Sequence, residues 1–239
     1  MVISIIIPTY NEEQLVESTI SHFSKLDIPH EIIISDTRST DNTVAIAKRL
    51  ADKVAVLPAE KSRGVSRGRN NGAALAEGTY MVFMDCGTVI KHPTAFFRRA
   101  IAAFESQPGL VGISCRVEVY KEVETMSDAA VSFLMNLWFL FLNNVCRVGI
   151  ASGKFIMVRT DMFRKTTGFN ENLITAEDID FFGRLAKLGR TRILWNLAVY
   201  HAGRRFHQKG AWRTLFLWIK NAASFWLFKK PDDTWEPVR

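Results

Sequence analysis

Cysteine is scarce in this sequence, with three residues among 239. Cys86, Cys115 and Cys146 lie far apart, which excludes the spacing of a disulfide framework or of a zinc site. A reducing compartment is therefore the simplest expectation. The chain start also lacks the basic residues and the long apolar run of a secretory signal, and Val2–Ile7 is typical of a buried strand. We therefore predict a cytoplasmic protein.

Linkers, repeats and low-complexity tracts are absent as well, so nothing in the sequence separates two domains. A chain of this length in which 48% of the residues are hydrophobic can bury one sizeable core. We predict a single domain over residues 1–206, followed by an amphipathic, basic and aromatic helix with a tail over residues 207–239.

Acidic residues are missing from the C-terminal part of the chain. Residues 1–180 contain 19 Lys or Arg and 21 Asp or Glu, whereas Phe181–Pro231 contains 11 Lys or Arg and no acidic residue. A segment of one charge sign indicates an anionic partner such as phosphate groups, lipid headgroups or nucleic acid. No module typical of nucleic-acid binding is present, and we expect no nucleic-acid partner.

What the sequence has instead is a regular alternation of short apolar runs and helix-period segments. The apolar runs are rich in Val and Ile and are flanked by turn residues, which is typical of strands. The predicted strands are Val2–Ile7, Glu31–Ile34, Val54–Leu57, Tyr80–Met84, Leu110–Val119, Phe155–Val158 and Leu197–Tyr200. The predicted helices are Glu13–Leu26, Asn42–Ala51, Val65–Ala76 and Thr175–Leu188. This order predicts an α/β fold with a mostly parallel sheet and helices on both faces.

Ligands of such open sheets bind beyond the carboxyl ends of the strands. Three loops are expected there, Pro8–Glu12, Asp36–Asp41 and Asp85–Thr88, and each places polar or acidic residues directly after an apolar run. The alternative is that these residues only cap the helices that follow. Capping is an equally good interpretation for Asp41, whereas the two aspartates at strand ends favour a binding site.

Four short motifs occur in a fixed order along the chain: Pro8–Glu12, Asp36–Thr43, Arg69–Gly72 and Ala176–Asp178. Each motif alone is weak, but together they resemble the motifs of glycosyltransferase family 2. The resemblance implies a GT-A fold with a Rossmann-like sheet. It also implies a nucleotide-diphosphate sugar as donor, with UDP favoured over GDP or dTDP, and inversion at the anomeric carbon.

The resemblance further implies roles for single residues in donor binding. Asp36 would read the base, while Thr9 and Glu12 would line the ribose side of the slot. Arg69 would hold the donor phosphate or the sugar; the alternative is that it pairs with a carboxylate on the rim of the sheet. The full set of predicted donor-binding residues is Pro8, Thr9, Tyr10, Glu12, Asp36, Arg69, Asn70, Asp85 and Cys86.

A divalent cation, Mn²⁺ or Mg²⁺, is the expected cofactor, because it would neutralise the charge that develops on the diphosphate leaving group. The family places an Asp-x-Asp motif after the fourth strand, but here Gly87 replaces the second Asp. Asp85 and His201 are the predicted metal ligands, and an imidazole suits Mn²⁺ better than Mg²⁺. The alternative is a metal-independent reaction in which Arg204 and Arg205 neutralise the charge.

A catalytic base is needed because an acceptor hydroxyl is a poor nucleophile until its proton is removed. Asp178 is the predicted base, and Glu177 is the second predicted catalytic residue, which would bind the acceptor. Both would lie in the first turn of a helix, where negative charge is favoured. The alternatives are that they are only N-terminal helix charges, or that Asp180 acts as the base.

Two apolar segments indicate contact with a membrane. Gly210–Phe228 combines a wide apolar face containing three Trp with a polar stripe that includes Arg213 and Lys220, as interfacial helices do. Val131–Leu142 is almost wholly apolar. We predict peripheral binding to the anionic inner face of the cell membrane. The alternative is that these helices pack on the sheet or in a homodimer.

The sequence therefore predicts an inverting glycosyltransferase whose acceptor hydroxyl is carried by a lipid or a lipid-linked glycan. A polyprenyl-phosphate hexose synthase is the alternative enzyme. A non-catalytic nucleotide-sugar-binding domain is the alternative of another class, because Gly87 removes a metal ligand.

Overall fold

The computed structural model describes residues 3–62 and 64–228, and all structural statements concern those residues. Within them, seven strands form one sheet in the order β3-β2-β1-β4-β6-β5-β7. The strands are β1 Ile3–Thr9, β2 His30–Asp36, β3 Lys53–Val56, β4 Tyr80–Met84, β5 Leu110–Val119, β6 Phe155–Arg159 and β7 Arg190–His201.

The helices surround this sheet, and one of them ends in a π-helical turn. They are α1 Val16–Ser21, α2 Thr43–Leu50, α3 Val65–Ala73, α4 Pro93–Ser106, α5 Met126–Leu140, α6 Thr160–Lys165, α7 Glu177–Ala186, α8 Arg204–Lys209 and α9 Ala211–Phe228. Helix α5 continues without a break into the π-helical turn Phe141–Val145.

Strand direction decides which loops meet at the edge of the sheet. β1 pairs in parallel with both β2 and β4, and β2 pairs in parallel with β3. β6 runs antiparallel to β4 and to β5, and β7 is parallel to β5. The carboxyl ends of β1, β2, β4, β5 and β7 therefore share one edge with the start of β6.

The core has two large apolar layers, one on each face of the sheet, and a smaller third cluster between β5, α5, α8 and α9. Successive side chains of a strand point to opposite faces, so Ile5 and Ile7 of β1 join one layer and Ile6 joins the other. The first layer packs α1, α2 and α4 on the sheet, with Phe97 of α4 at its centre. The second layer packs α3, α6 and α7, and includes Phe182. Each buried Phe side chain contributes roughly 1.5–3 kcal/mol through the hydrophobic effect.

The predicted α/β fold is confirmed, with helices on both faces of a mostly parallel sheet. The predicted helix Glu13–Leu26 is shorter in the structure, because α1 gives way to turns after Ser21. Helix α4 was not predicted, although Pro93 in its first turn is a usual start signal. Helix α9 covers the predicted C-terminal helix, whose interfacial role stays a prediction. Val2 and residues 229–239 of the predicted tail lie outside the described residues.

Candidate active site

The carboxylate of Asp36 is fixed where β1 and β2 end side by side. Parallel pairing places Thr9 opposite Asp36, and the Thr9 hydroxyl donates to Asp36 Oδ2 at 2.9 Å. The backbone N–H of Ser39 donates to Asp36 Oδ1 at 2.7 Å. The side chain of Asp36 is fully buried. The sheet therefore brings together two of the residues predicted to bind the base and the ribose.

The loops that follow β1 and β2 are joined by hydrogen bonds between them. The backbone N–H of Asn11 donates to Ser39 Oγ at 2.7 Å, and Thr40 N–H donates to Asn11 Oδ1 at 2.8 Å. Asn11 has a φ of 52°, a left-handed conformation that Asn tolerates better than most residues. Glu12 N–H donates to Thr43 Oγ1 at 2.8 Å. The predicted slot residues from Pro8 to Glu12 thus form one braced loop beside Asp36.

A second group of charged residues is organised around Arg69, which is 1% exposed. Its Nη1 donates to Glu177 Oε1 at 2.8 Å, and its Nη2 donates to Asp85 Oδ1 at 3.1 Å. Nη2 also donates to the carbonyl oxygen of Gly153 at 3.2 Å. Burial alone would lower the pKa of Arg69, but Glu177 and Asp85 raise it above its usual value. The structure therefore shows the alternative interpretation of Arg69, in which its guanidinium pairs with carboxylates.

The predicted base, Asp178, stands next to this group and is partly exposed. Its Oδ2 accepts a hydrogen bond from the backbone N–H of Gly153 at 2.7 Å. Burial raises the pKa of Asp178, although Arg69 opposes the rise. Burial also raises the pKa of Glu177 to about 7, and the neighbouring Asp178 carboxylate adds to the rise. Asp180, the alternative base, is paired instead with Arg184 at 2.7 Å.

Two backbone positions near Asp178, Ala176 and Gly153, are tightly constrained. Ala176, directly before α7, has a φ of 60°, which is uncommon for a residue other than glycine. Such strain persists only where the surroundings hold the backbone in place, and it is frequent at functional sites. A Cβ atom at Gly153 would lie 2.4 Å from Arg69 Nη2 and 3.4 Å from Asp178 Oδ2. A side chain at this position would therefore force the Arg69 guanidinium to move.

Lys154 completes the charged group, and the sequence did not predict it. Its Nζ lies 3.0 Å from Asp85 Oδ2. Burial works against the charged form of Asp85, but Lys154 and Arg69 hold the pKa of this carboxyl below its usual range. The group therefore contains three carboxylates and two cations. We define these five residues as the charged cluster: Arg69, Asp85, Lys154, Glu177 and Asp178.

Gly87, which stands in place of the second Asp of the predicted metal motif, lies in a tight turn after β4. Its φ is 78°, a left-handed conformation that favours glycine. The Gly87 N–H donates to Thr19 Oγ1 at 3.0 Å, and the Tyr120 hydroxyl donates to the Gly87 carbonyl oxygen at 2.8 Å. The turn after β4 is thus fixed in a shape that suits glycine.

The protein groups that could hold a divalent cation here are few. Among the described residues, no group of three or more His, Cys, Asp or Glu could hold a metal ion. His201 ends β7 at the same edge as Asp85, and burial lowers its pKa to about 4, so its imidazole is neutral at pH 7. Asp85 and His201 thus have the chemistry of Mn²⁺ ligands. A bound cation would take its remaining ligands from the donor diphosphate or water.

Two predicted donor-binding side chains are engaged elsewhere in the structure. The Asn70 amide donates to the Phe169 carbonyl oxygen at 2.8 Å and accepts from the Phe169 N–H at 2.8 Å. The Cys86 thiol is buried in the core, 3.5 Å from Thr19 Oγ1, and burial raises its pKa to about 12. Neither side chain joins the charged cluster, whereas Tyr10 and Glu12 remain in the loop beside Asp36.

Known proteins resemble this chain in sequence and in fold. The sequence model of the family described as Glycosyl transferase family 2 matches residues 4–167, which is more than half of the chain. The matched segment includes Asp36, Arg69, Asp85 and Lys154 but ends before Glu177. In structure, the mannosyltransferase PcManGT from Pyrobaculum calidifontis, in complex with GDP-Man and Mn²⁺, superposes with a TM-score of 0.72. It is 19% identical, and the match covers 96% of this chain and 65% of that protein.

Two curated relatives are similar over shorter shares of their length. One is a dolichyl N-acetyl-alpha-D-glucosaminyl phosphate 3-beta-D-2,3-diacetamido-2,3-dideoxy-beta-D-glucuronosyltransferase from Methanococcus voltae. It is 26% identical over an alignment of 208 residues, and the match covers 78% of this chain and 62% of the relative. The other is a dolichol-phosphate mannosyltransferase from Pyrococcus furiosus, which is 33% identical over an alignment of 113 residues. That match covers 44% of this chain and 31% of the relative. The chain spans less than two thirds of either relative.

Proposed function

The chain belongs to glycosyl transferase family 2, and we propose that it transfers a sugar from a nucleotide-diphosphate donor to an acceptor hydroxyl. The transfer inverts the anomeric carbon, and the acceptor is carried by a lipid or a lipid-linked glycan. The observation that carries this proposal is that the loops around Asp36 and the charged cluster lie at the same edge of the sheet. The braced loops around Asp36 end β1 and β2, and the charged cluster lies at the end of β4.

The two groups fit the two ends of a nucleotide sugar. Asp36 is a fixed acceptor for N–H groups of the base, and the backbone of Pro8–Glu12 forms the wall beside it. The diphosphate then points towards Asp85 and Lys154, and the sugar lies over Asp178. UDP remains our favoured donor nucleotide.

Asp178 acts as the general base in this proposal. The acceptor oxygen attacks the anomeric carbon on the face opposite the diphosphate, while its proton passes to Asp178. The bond between the anomeric carbon and the phosphate oxygen breaks, and its electron pair leaves with the nucleotide diphosphate. The hydrogen bond from Gly153 N–H holds the carboxylate in a single orientation. A raised pKa makes Asp178 a better proton acceptor than an exposed aspartate.

Positive charge must balance the leaving diphosphate. Lys154 carries its ammonium group beside Asp85, and Arg204 Nη2 lies 3.8 Å from Glu12 Oε2. Mn²⁺ or Mg²⁺ held by Asp85, His201 and the diphosphate would stabilise the same charge as a Lewis acid. The metal-bound complex of the similar mannosyltransferase supports this cofactor.

A phosphate acceptor is the second candidate, and the similarity to a dolichol-phosphate mannosyltransferase favours it. Such an acceptor is already anionic, so it needs no strong base. Under this alternative, Asp178→Asn would lower the transfer rate only mildly, whereas it would nearly abolish transfer to a hydroxyl.

The first test is calorimetry of UDP, GDP and dTDP with the purified chain, each with Mn²⁺, with Mg²⁺ and with a chelator. We expect one nucleotide to bind with metal, and Asp85→Ala to abolish that binding. Asp161→Ala on the exposed side of α6 is the control and should bind normally. Absence of binding for every nucleotide would overturn the donor site. Binding without transfer to hydroxyl or phosphate acceptors would instead indicate a non-catalytic domain.

A further inference from the structure

Helix α5 exposes apolar side chains and buries polar ones, which is the reverse of a helix that borders water. Its outward side chains are large and apolar, and each is between 38% and 55% exposed. They are Phe133, Leu134, Leu137, Trp138 and, in the π-helical turn, Phe141. Four polar side chains, by contrast, point inward and are at most 6% exposed: Asp128, Ser132, Asn136 and Asn143. A contiguous apolar row of this kind indicates an interaction surface for an apolar partner.

The inward polar side chains fasten α5 to the domain. Asn136 Oδ1 accepts from Val117 N–H at 2.9 Å, and its Nδ2 donates to the Val117 carbonyl oxygen at 3.1 Å. Asp128 caps the helix start and pairs with His207 at 3.0 Å. Met126–Val145 is long and apolar enough to cross a membrane by length and composition. These bonds to the sheet and to α8 hold it along the domain surface instead.

Helix α9 packs beside α5 and continues the same kind of surface. Its inward residues Leu215 and Trp218 pack against a buried cluster that includes Val131 of α5. Its outward residues Trp212, Phe216 and Ile219 are between 53% and 70% exposed. Arg213 and Lys220, both exposed, flank this outward row. The outer faces of α5 and α9 are named here the α5–α9 surface.

We propose that the α5–α9 surface docks on an anionic lipid bilayer. The large apolar side chains would enter the boundary between headgroups and acyl chains, and the flanking cations would bind anionic headgroups. Two tryptophans, Trp138 and Trp212, lie in the exposed rows, and this side chain is enriched at membrane interfaces. The surface thus has both properties that interfacial binding requires.

Charge favours lipid over a second copy of the chain as the occupant. Neither outer face carries an acidic residue, and Phe181–Phe228 contains no Asp or Glu. A two-fold symmetric dimer brings the same patch of both subunits together. Arg213 would then face the same patch of the second copy, whose described outer faces carry no carboxylate, whereas an anionic bilayer supplies negative charge over its whole area.

The helices that carry the α5–α9 surface begin after strands that end at the edge of the candidate active site. Helix α5 follows β5, and helices α8 and α9 follow β7, whose last residue is His201. Both strands end at the edge that carries the charged cluster. A bilayer on this surface would therefore present a lipid-borne acceptor near Asp178. This last step rests on the proposed function, but the docking itself does not.

Vesicle flotation of the full 239-residue chain tests the proposal directly. Vesicles of phosphatidylcholine alone are compared with an equal mixture of phosphatidylcholine and phosphatidylglycerol at low salt. We expect binding to the mixed vesicles, and a loss of about tenfold in bound fraction for the double variant Phe133→Glu/Trp138→Glu. Arg213→Glu/Lys220→Glu should lose binding to the anionic vesicles by about the same factor.

Control variants and calorimetry separate this proposal from the proposed function. Leu75→Glu/Leu188→Glu changes two residues that are 39% and 43% exposed elsewhere, and it should float like the unchanged chain. Nucleotide binding should be equal in all variants, which shows that each is folded. Intact nucleotide binding without flotation of the unchanged chain would overturn the docking surface alone. Dimers that dissociate in Phe133→Glu/Trp138→Glu, with no vesicle binding, would assign the surface to a second copy.

Discussion

Arg69 and Glu177 form a buried ion pair that joins α3 to the first turn of α7, with 2.8 Å between Nη1 and Oε1. The side chain of Arg69 is 2% exposed, so its positive charge is stabilised by its carboxylate partners rather than by water. Because the pair ties together two elements that carry site residues, the charged cluster is part of the fold as well as of the site.

Removing the arginine should therefore destabilise the protein strongly. Arg69→Met leaves Glu177 buried without its partner, and we expect the free energy of unfolding in urea to fall by about 3–5 kcal/mol. Arg98→Met is the control, because Arg98 contacts Asp27 at the same 2.8 Å but both side chains are largely exposed. It should change stability little. Equal effects of the two variants would contradict a structural role for Arg69.

Gly153→Ala should damage the site more than the fold. The added Cβ atom would lie 2.4 Å from Arg69 Nη2, so the guanidinium must move away from Asp85. We expect a stability loss of about 1–3 kcal/mol and a fall in kcat of about 10²-fold. Gly109→Ala is the matched control, since nothing lies within 4 Å of its Cβ position. A Gly153→Ala variant with normal kcat would show that this contact can relax freely.

Asp178→Asn tests the general base while keeping the shape of the side chain. The amide oxygen can still accept from Gly153 N–H, but the amide nitrogen then replaces the oxygen that accepts from Ile179 N–H at 2.9 Å. We therefore expect a small loss of stability and an unchanged nucleotide affinity. The rate of transfer to a hydroxyl should fall by about 10²–10⁴-fold because the variant cannot take the proton. Single-turnover kinetics with a bound donor measures this step, and a loss below about tenfold would point to a phosphate acceptor.

The pH dependence of stability should report the raised pKa of Glu177. Its usual value is 4.5, and in the folded protein it is about 7. Folding thus favours the protonated form, so this stabilisation is complete below pH 4.5 and is lost as pH rises to about 7. The size is on the order of 3 kcal/mol. Urea unfolding between these pH values measures the free energy of unfolding of the unchanged chain and of Glu177→Gln. The difference between the two proteins isolates the contribution of Glu177. A constant stability difference between the two proteins would contradict the shift.

Much of the donor side could be predicted from the sequence, because it depends on strand ends. The apolar runs before Pro8, Asp36 and Asp85 are continuous, and the strands that they form are parallel. Parallel strands bring their carboxyl ends to one edge whatever the order of the sheet. The loops after them could therefore be assigned to a binding site without coordinates.

The acceptor side was harder to predict, because β6 runs antiparallel to β4. An apolar run does not encode its direction, so nothing in the sequence placed Gly153 and Lys154 beside Asp85. The sequence did show that Gly87 departs from the family motif. It did not show the φ of 78° that favours glycine there.

Lys154 and a divalent cation should compete for the carboxylate of Asp85, since Nζ already lies 3.0 Å from its Oδ2. We expect Lys154→Ala to bind nucleotide diphosphate about tenfold more weakly in chelator, because a charged hydrogen-bond donor is lost. With Mn²⁺ the affinity should recover, since the freed oxygen can bind the ion. Lys165→Ala at the end of α6 is the control. Calorimetry in both buffers measures the effect. Equal losses with and without Mn²⁺ would show that Lys154 does not share this position with the metal.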